Sequence, residues 1–209
     1  MARNVVEPVR GVAEVGLRER KRQRTRAAIQ AAGLGLFATQ GYEATTCEQI
    51  AAAAEVSPAT FFRYFPTKED VVLSDDYDDL MRALLHDRPP GESPVVAVRR
   101  TLATALQAVY PADIEVLRER LQLVLSVPAL RARRYEQLRG METLLAGELA
   151  GRMSAAPDDL EVRVVARAIA ATATVAIEEW AEKGGNLPAI VDRAFATLQT
   201  RLTARPRRR

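Results

Sequence analysis

The sequence predicts an all-α fold, and two observations support this prediction. From residue 17 onwards, apolar residues recur at intervals of three and four positions, the spacing of one face of an α-helix. No segment combines two-residue alternation with enrichment in β-branched residues, so no strand is predicted. With 209 residues, of which 48% are hydrophobic, the chain can form one substantial core or two small cores packed together.

Three helices are predicted in the N-terminal part of the chain. The first covers roughly 18–40 and ends at Gly41, a residue suited to a left-handed cap. Thr46 is placed to cap a short second helix. Ser57 is placed to cap a third helix, which Pro66 ends because proline cannot continue a helix. These three helices form a predicted N-terminal head.

Six more helices are predicted behind the head, which gives about nine in total. Thr67 caps a long helix that is broken by Pro89, Pro90 and Gly91. The other five are expected at about 94–109, 111–125, 128–153, 158–183 and 187–203. The predicted organisation is a flexible arm (1–16), a DNA-binding head (17–66), a ligand-binding and dimerisation body (67–204) and a basic tail (205–209).

The second and third predicted helices form a helix-turn-helix beside a strongly basic run. Two short helices joined by a tight turn place the second where it can enter a DNA major groove. Phe61 and Phe65 on the second of these helices are predicted to form the core of the head. The run contains one acidic residue, Glu19, and six basic residues: Arg18, Arg20, Lys21, Arg22, Arg24 and Arg26. Such a concentration of positive charge attracts phosphate, so the head is expected to bind DNA.

A series of short motifs follows the basic run in a fixed order. They are Phe-Ala-Thr-Gln-Gly-Tyr (37–42), Thr-Thr (45–46), Ile-Ala (50–51), Val-Ser-Pro-Ala-Thr-Phe-Phe-Arg-Tyr-Phe (56–65) and Lys-Glu-Asp (68–70). In this order they resemble the TetR family of bacterial transcriptional repressors. The resemblance implies a regulator that binds operator DNA and is released from it by a small molecule held in the body. The two-phenylalanine form of the recognition segment is similar to members with an acyl-CoA-like ligand-binding C-terminal domain.

Individual residues of the head are assigned roles on DNA. Thr46, at a helix N-terminus, is suited to bind a backbone phosphate. Arg24 is expected either to reach a phosphate or to keep the first helix soluble. The resemblance implies that Tyr64 and Lys68 clamp phosphates, while Phe62 departs from the family pattern, in which a tyrosine is usual. The recognition helix is only about two turns long, so base contacts are expected from its N-terminal side chains. These are Ser57, Ala59, Thr60 and Arg63.

The resemblance also implies a small-molecule pocket inside the body, and the apolar residues available for it suggest a hydrophobic effector. Taken one by one, these residues favour ordinary core packing over ligand contact. The predicted lining consists of Tyr77, Met81, Leu84, Leu102, Leu106, Leu121, Leu125, Tyr135, Met141, Leu145, Thr172, Val175 and Trp180. Five arginines are candidates for an anionic headgroup such as a coenzyme A phosphate, unless they are simply solvated. They are Arg99, Arg100, Arg131, Arg133 and Arg134.

A homodimer is expected because one head contacts too few base pairs to select a site in a genome, whereas two heads recognise the two halves of a palindromic operator. The last two predicted helices have broad apolar faces, and pairing them with their two-fold copies would give a four-helix interface. The residues predicted for this interface are Val165, Ile169, Ala173, Phe195 and Leu198.

Composition gives little support for other classes of protein. Cys47 is the only cysteine and His86 the only histidine, so no disulfide, metal site, cofactor or catalytic cluster is predicted. No apolar stretch approaches about 18 residues, and a cytoplasmic protein is expected. The alternative function is a basic helical module that binds nucleic acid or acidic lipid without sequence specificity.

Overall fold

The fold is all-helical, in agreement with the sequence prediction. A computed structural model describes residues 16–74, 77–109 and 114–203; the predicted basic tail and nearly all of the predicted arm lie outside them. The described residues form ten helices and no strand. The helices are α1 (Leu17–Gln40), α2 (Cys47–Ala53), α3 (Pro58–Tyr64), α4 (Lys68–Leu73), α5 (Tyr77–His86), α6 (Pro94–Val109), α7 (Ile114–Ser126), α8 (Pro128–Met153), α9 (Leu160–Lys183) and α10 (Leu187–Thr203).

The helix predicted to start at Thr67 is in fact two helices, α4 and α5. Helix α4 ends at Leu73, and Ser74 follows it in a non-helical conformation. Serine competes for backbone hydrogen bonds and therefore favours helix ends over helix interiors. This break raises the number of helices from the predicted nine to the ten of the described residues.

The first compact unit ends at Val72, six residues beyond the predicted end of the head. Helix α4 belongs to this unit because Val71 is fully buried and its side chain packs against Gly33 of α1. The side chain of Gln30 donates a hydrogen bond of 2.9 Å to the carbonyl oxygen of Val71. Phe61 and Phe65 are also fully buried, which confirms their predicted place in the core of the head.

The second unit begins at Leu73, and α9 is its central helix. Helix α9 packs mainly against α8 and α10 and contributes Ile169 and Trp180 to the core. The indole N–H of Trp180 donates a hydrogen bond of 3.1 Å to the carbonyl oxygen of Gly185, which fastens the turn between α9 and α10. In this turn Gly184 has a φ of 73°, a conformation that glycine adopts at no steric cost. Among the described residues, no helix combines the length and apolar character needed to cross a membrane.

Candidate DNA-binding surface and body clefts

Helix α3 is a short rod held to the head by two aromatic side chains. It has seven residues, starts with Pro58 and is followed by the buried Phe65. Phe61 and Phe65 point into the head, with ring centroids 6.2 Å apart. Since side chains about four positions apart share a helix face, the opposite side of α3 carries the exposed residues Ala59, Phe62 and Arg63. A surface of this kind is available to a groove of DNA.

The hydroxyl groups of Ser57 and Thr60 form a pair at the start of α3. Ser57 Oγ accepts a hydrogen bond of 3.1 Å from the backbone N–H of Thr60, which caps the helix. The Ser57 hydroxyl also donates to Thr60 Oγ1 at 3.0 Å. The hydroxyl proton of Ser57 is therefore used within the head, whereas that of Thr60 makes no hydrogen bond within the described residues.

Near the C-terminal end of α3, Arg63 and Tyr64 lie side by side. The guanidinium carbon of Arg63 is 5.5 Å from the centroid of the Tyr64 ring, a cation–π contact that limits the orientations of the arginine. Phe62 is 46% exposed and rests edge-on against Phe61. From the sequence, Phe62 was identified only as a departure from the tyrosine that is usual in the family. An exposed apolar side chain on the recognition helix was not predicted.

Helix α2 begins with a capping box at Thr46 and Gln49. Thr46 Oγ1 accepts from the backbone N–H of Gln49 at 3.2 Å, and Gln49 Oε1 accepts from the backbone N–H of Thr46 at 2.9 Å. The amide of Gln40 at the end of α1 donates to the same Gln49 oxygen at 2.9 Å. The hydroxyl proton of Thr46 makes no hydrogen bond within the described residues. The Thr-x-x-Gln spacing of a capping box indicates this arrangement in the sequence. Nevertheless, neither Gln40 nor Gln49 was predicted to take part in it.

Lys68, predicted to clamp a phosphate, is already used inside the head. Its ammonium donates to the carbonyl oxygens of Tyr42 at 3.0 Å and Thr45 at 3.3 Å, and it lies 4.3 Å from the centroid of the Tyr42 ring. Two of its three N–H donors are therefore used within the head. Burial, followed by a hydrogen bond of 2.7 Å to Glu69, raises the pKa of Tyr42, so its phenol stays protonated and holds the loop before α2 against α4.

The two arginines near the middle of α1 differ in their surroundings. Arg24 is exposed, as a phosphate contact requires. The guanidinium carbon of Arg26 instead lies 4.7 Å from the ring centroid of Phe65, which is the residue directly after α3. Arg26 therefore ties α1 to the end of the recognition helix.

In the body, three of the predicted effector contacts converge on one cleft between α7, α8 and α9. Its outer part has a volume of about 220 Å³ and is lined by Leu125 and Tyr135 together with two of the five predicted arginines, Arg131 and Arg134. Leu121 lies with Leu125 in the apolar inner end of the cleft. Glu178 and Glu182 line the same part of the cleft. The other three predicted arginines lie outside it, where Arg99 pairs with Asp192, Arg100 with Glu92 and Arg133 with Glu136.

Several other predicted pocket residues lie outside this cleft. Thr172 and Val175 line an outer groove between α9 and α10, and Val175 is 61% exposed. Trp180 is buried in the core, and the side chain of Tyr77 is outside the described residues. The remaining six are half-buried, and three of them, Leu102, Leu106 and Leu145, pack against the core. The other three are Met81, Leu84 and Met141.

The five residues predicted for the dimer interface differ in their burial within the single chain. Ile169 and Phe195 are completely buried in the core of the single chain and offer no surface to a partner. Val165 and Ala173 are half-buried against the same core. Only Leu198 lines the outer groove, which has a volume of about 560 Å³.

An exposed apolar stripe runs along the outer face of α9 instead. Its members are spaced by three or four positions and therefore lie on one side of the helix. Leu160, Val164 and Val175 are 69%, 57% and 61% exposed. The stripe, which continues into the outer groove beside α10, consists of Leu160, Val164, Ala168, Ala171 and Val175.

Known proteins match both units. The family model for bacterial regulatory proteins of the tetR family matches residues 29–74, and the model described as the MftR C-terminal domain matches residues 92–203. The HTH-type transcriptional regulator TcmR of Streptomyces glaucescens is 38% identical, over 79% of this chain and 76% of its own length.

Two solved structures extend these matches. The Thermus thermophilus repressor FadR, in complex with lauroyl-CoA, is similar with a TM-score of 0.52 and 25% identity, over 86% of this chain and 96% of its own. A TetR-family regulator from Syntrophomonas wolfei shares the fold, with a TM-score of 0.61 and 19% identity, over 88% and 97% of the two chains.

A helix-turn-helix head joined to a larger helical body defines a DNA-binding transcriptional regulator. The chain belongs to the TetR family.

Proposed function

We propose that the protein is a dimeric repressor that a hydrophobic effector releases from a palindromic operator. The observation that carries the DNA-binding part is the division of α3 into a buried side, with Phe61 and Phe65, and an exposed side, with Ala59 and Arg63. The buried side fixes the helix on the head, so the exposed side can be presented to base edges.

The side chains of the head divide into base contacts and phosphate contacts. Thr60 donates its free hydroxyl proton to a base or phosphate acceptor, and Arg63 pairs with guanine or with a phosphate. Ala59 makes apolar contact with a thymine methyl group. Thr46 and Arg24 bind the backbone, joined by Tyr64 and by the one remaining donor of Lys68. Ser57 acts mainly through the cap that it gives to α3.

Replacing Thr60 or Arg63 with alanine is expected to weaken binding to the operator by about 1–3 kcal/mol per lost base contact. The operator is obtained by selecting duplexes from a random pool with the wild-type protein. Affinity for the selected duplex and for a random duplex is then measured by gel shift. Arg139→Ala, which removes an exposed arginine from α8 in the body, is the matched control and should leave both affinities unchanged.

Two outcomes of the gel shift would contradict this assignment. If both alanine variants keep the wild-type affinity for the selected duplex, α3 is not the recognition element. If the wild-type protein selects no sequence and any nucleic acid displaces it equally, the unspecific basic module is the better description.

The effector is proposed to bind in the cleft between α7, α8 and α9. Leu121 and Leu125 form an apolar recess beside the cleft, and the outer part of the cleft is lined by Arg131, Arg134 and Tyr135 together with Glu178 and Glu182. An apolar chain with an anionic group matches the leucines and the arginines, while the two glutamates oppose the anion. Because FadR of Thermus thermophilus binds lauroyl-CoA, an acyl-CoA-like compound is the first candidate.

Lauroyl-CoA is expected to bind the protein and to release the selected duplex. Arg131→Ala should weaken binding of lauroyl-CoA about 10- to 100-fold, since a hydrogen bond to a charged group contributes roughly 1.5–3 kcal/mol. Arg139→Ala, which removes another exposed arginine from α8, should leave it unchanged. Titration calorimetry measures both. If the two variants bind lauroyl-CoA with equal affinity, the ligand does not bind in this cleft. If lauroyl-CoA does not release the duplex, it is not the effector.

The dimer is proposed to form through the exposed stripe of α9 and the groove beside α10. A two-fold axis through this face would pair each stripe with its copy and cover Val164 and Val175. Exposed apolar patches of this kind mark interaction sites in soluble proteins.

A further inference from the structure

Helix α1 starts about three turns before it reaches the core of the head. Its first buried side chain is Ile29, and none of the described side chains between Leu17 and Ala28 is buried. We call residues 17–28 the basic extension. The tetR family model begins only at residue 29, so the extension is an addition to the part of the head that the family model describes. Of its described side chains, only those of Thr25 and Arg26 are half-buried, so burial in the core does not explain the sequence of the extension.

The charge of the basic extension is unfavourable for the helix itself. Residues 17–26 carry a net charge of five positive units, although the whole chain carries only +3. Arg18, Arg20 and Lys21 lie in the first turns of α1, where the positive end of the helix dipole disfavours cations. Helix stability would favour acidic residues at these positions. The cations therefore point to an anionic partner.

The position of the extension relates it to the recognition helix. Arg26 lies over the ring of Phe65, the residue that follows α3. Arg22 and Arg18 stand four and eight positions earlier and share that face of α1. With a rise of 1.5 Å per residue, twelve helical residues extend about 18 Å. This length corresponds to about five base pairs of DNA at 3.4 Å per step.

We propose that the basic extension is a second DNA-binding element, which follows the phosphates flanking the base pairs contacted by α3. It contributes affinity without sequence preference, because its arginines and lysine bind phosphates through charge. This inference rests on the proposed operator binding and deepens it. The recognition helix selects the site, and the extension sets the affinity and its dependence on salt.

The test compares two triple variants that lose the same charge. Arg18→Gln, Arg20→Gln and Lys21→Gln neutralise the extension, while Arg133→Gln, Arg139→Gln and Arg163→Gln neutralise exposed arginines of the body. Affinity for the duplex selected by the wild-type protein and for a random duplex is measured at several salt concentrations. Circular dichroism checks that both variants keep the wild-type helix content.

The extension variant is expected to bind both duplexes on the order of 100-fold more weakly at 0.15 M salt, with the logarithmic salt slope reduced by about 2.7 for three lost phosphate contacts. The ratio of the two affinities should stay at its wild-type value, and the body variant should behave as wild type. A wild-type slope in the extension variant would overturn the proposal while leaving operator binding intact. A wild-type protein that selects no duplex would instead refute the proposed function.

The same variants distinguish between DNA and an acidic membrane as the partner of the basic extension. Vesicles of phosphatidylserine are sedimented with the wild-type protein and with the extension variant. The proposal is wrong if the substitutions abolish co-sedimentation but leave DNA binding unchanged.

Discussion

Gly33→Val is expected to destabilise the head by about 3 kcal/mol and to abolish DNA binding as the head unfolds. Gly33 is buried in α1, and a Cβ atom at this position would lie only 2.6 Å from Cγ1 of Val71. Val71 is fully buried on α4, and a β-branched side chain in a helix has essentially one allowed rotamer. The added methyl groups therefore force the two helices apart, and overpacking of this kind costs about 1–3 kcal/mol, occasionally more. Urea unfolding followed by circular dichroism measures the change.

Gly35→Val is the matched control, two residues further along the same helix. Nothing lies within 4 Å of a Cβ atom at Gly35, which is exposed. Stability should change by less than about 0.5 kcal/mol, because valine is a slightly better helix former than glycine. Adding Val71→Ala to Gly33→Val should recover part of the loss, since it removes the clashing methyl groups. If both glycine variants unfold at the same urea concentration, close packing of α1 against α4 is not the reason for a glycine at residue 33.

Helix ends were largely predictable from the sequence because they depend on local chemistry. Gly41 follows α1, and Ser57 caps α3 through its side chain. Contacts between distant residues were not predictable in the same way. The close approach of Gly33 to Val71 depends on the packing of α1 against α4, which the sequence of neither helix shows. Serine at residue 74 is a local sign that α4 and α5 are separate.

The candidate sites were predictable to the extent that residue type determines burial. Phe61 and Phe65 were correctly assigned to the core of the head. Helix α9, in contrast, is apolar on most of its circumference, so its sequence does not distinguish the core face from the outer face. The predicted interface residue Val165 packs against the core, while its neighbour Val164 is exposed. A rotation of about 100° per residue separates the two faces.

Substitutions in the apolar stripe of α9 are expected to have the second large effect, which is on the oligomeric state. Val164→Glu combined with Val175→Glu is expected to convert the proposed dimer to a monomer, with the dissociation constant raised more than about 1000-fold. Both valines are more than half exposed in the single chain, so the glutamates are solvated in the monomer and the fold is kept. In the dimer they would be buried without partners, and an uncompensated buried charge costs about 3–5 kcal/mol. Sedimentation velocity at micromolar concentration measures the change.

Val116→Glu is the control for the added charge, because Val116 is a half-exposed valine on α7 that lies outside the stripe. It should leave both the dimer and operator binding as in the wild type. The monomeric double variant should lose most of its affinity for the palindromic duplex. A single head contacts only one half-site, and binding of that head no longer brings a second head to the other half-site. If the double variant remains a dimer, the interface lies on another face. If it becomes a monomer and still binds the full duplex as tightly as the wild type, pairing of the heads is not the source of operator affinity.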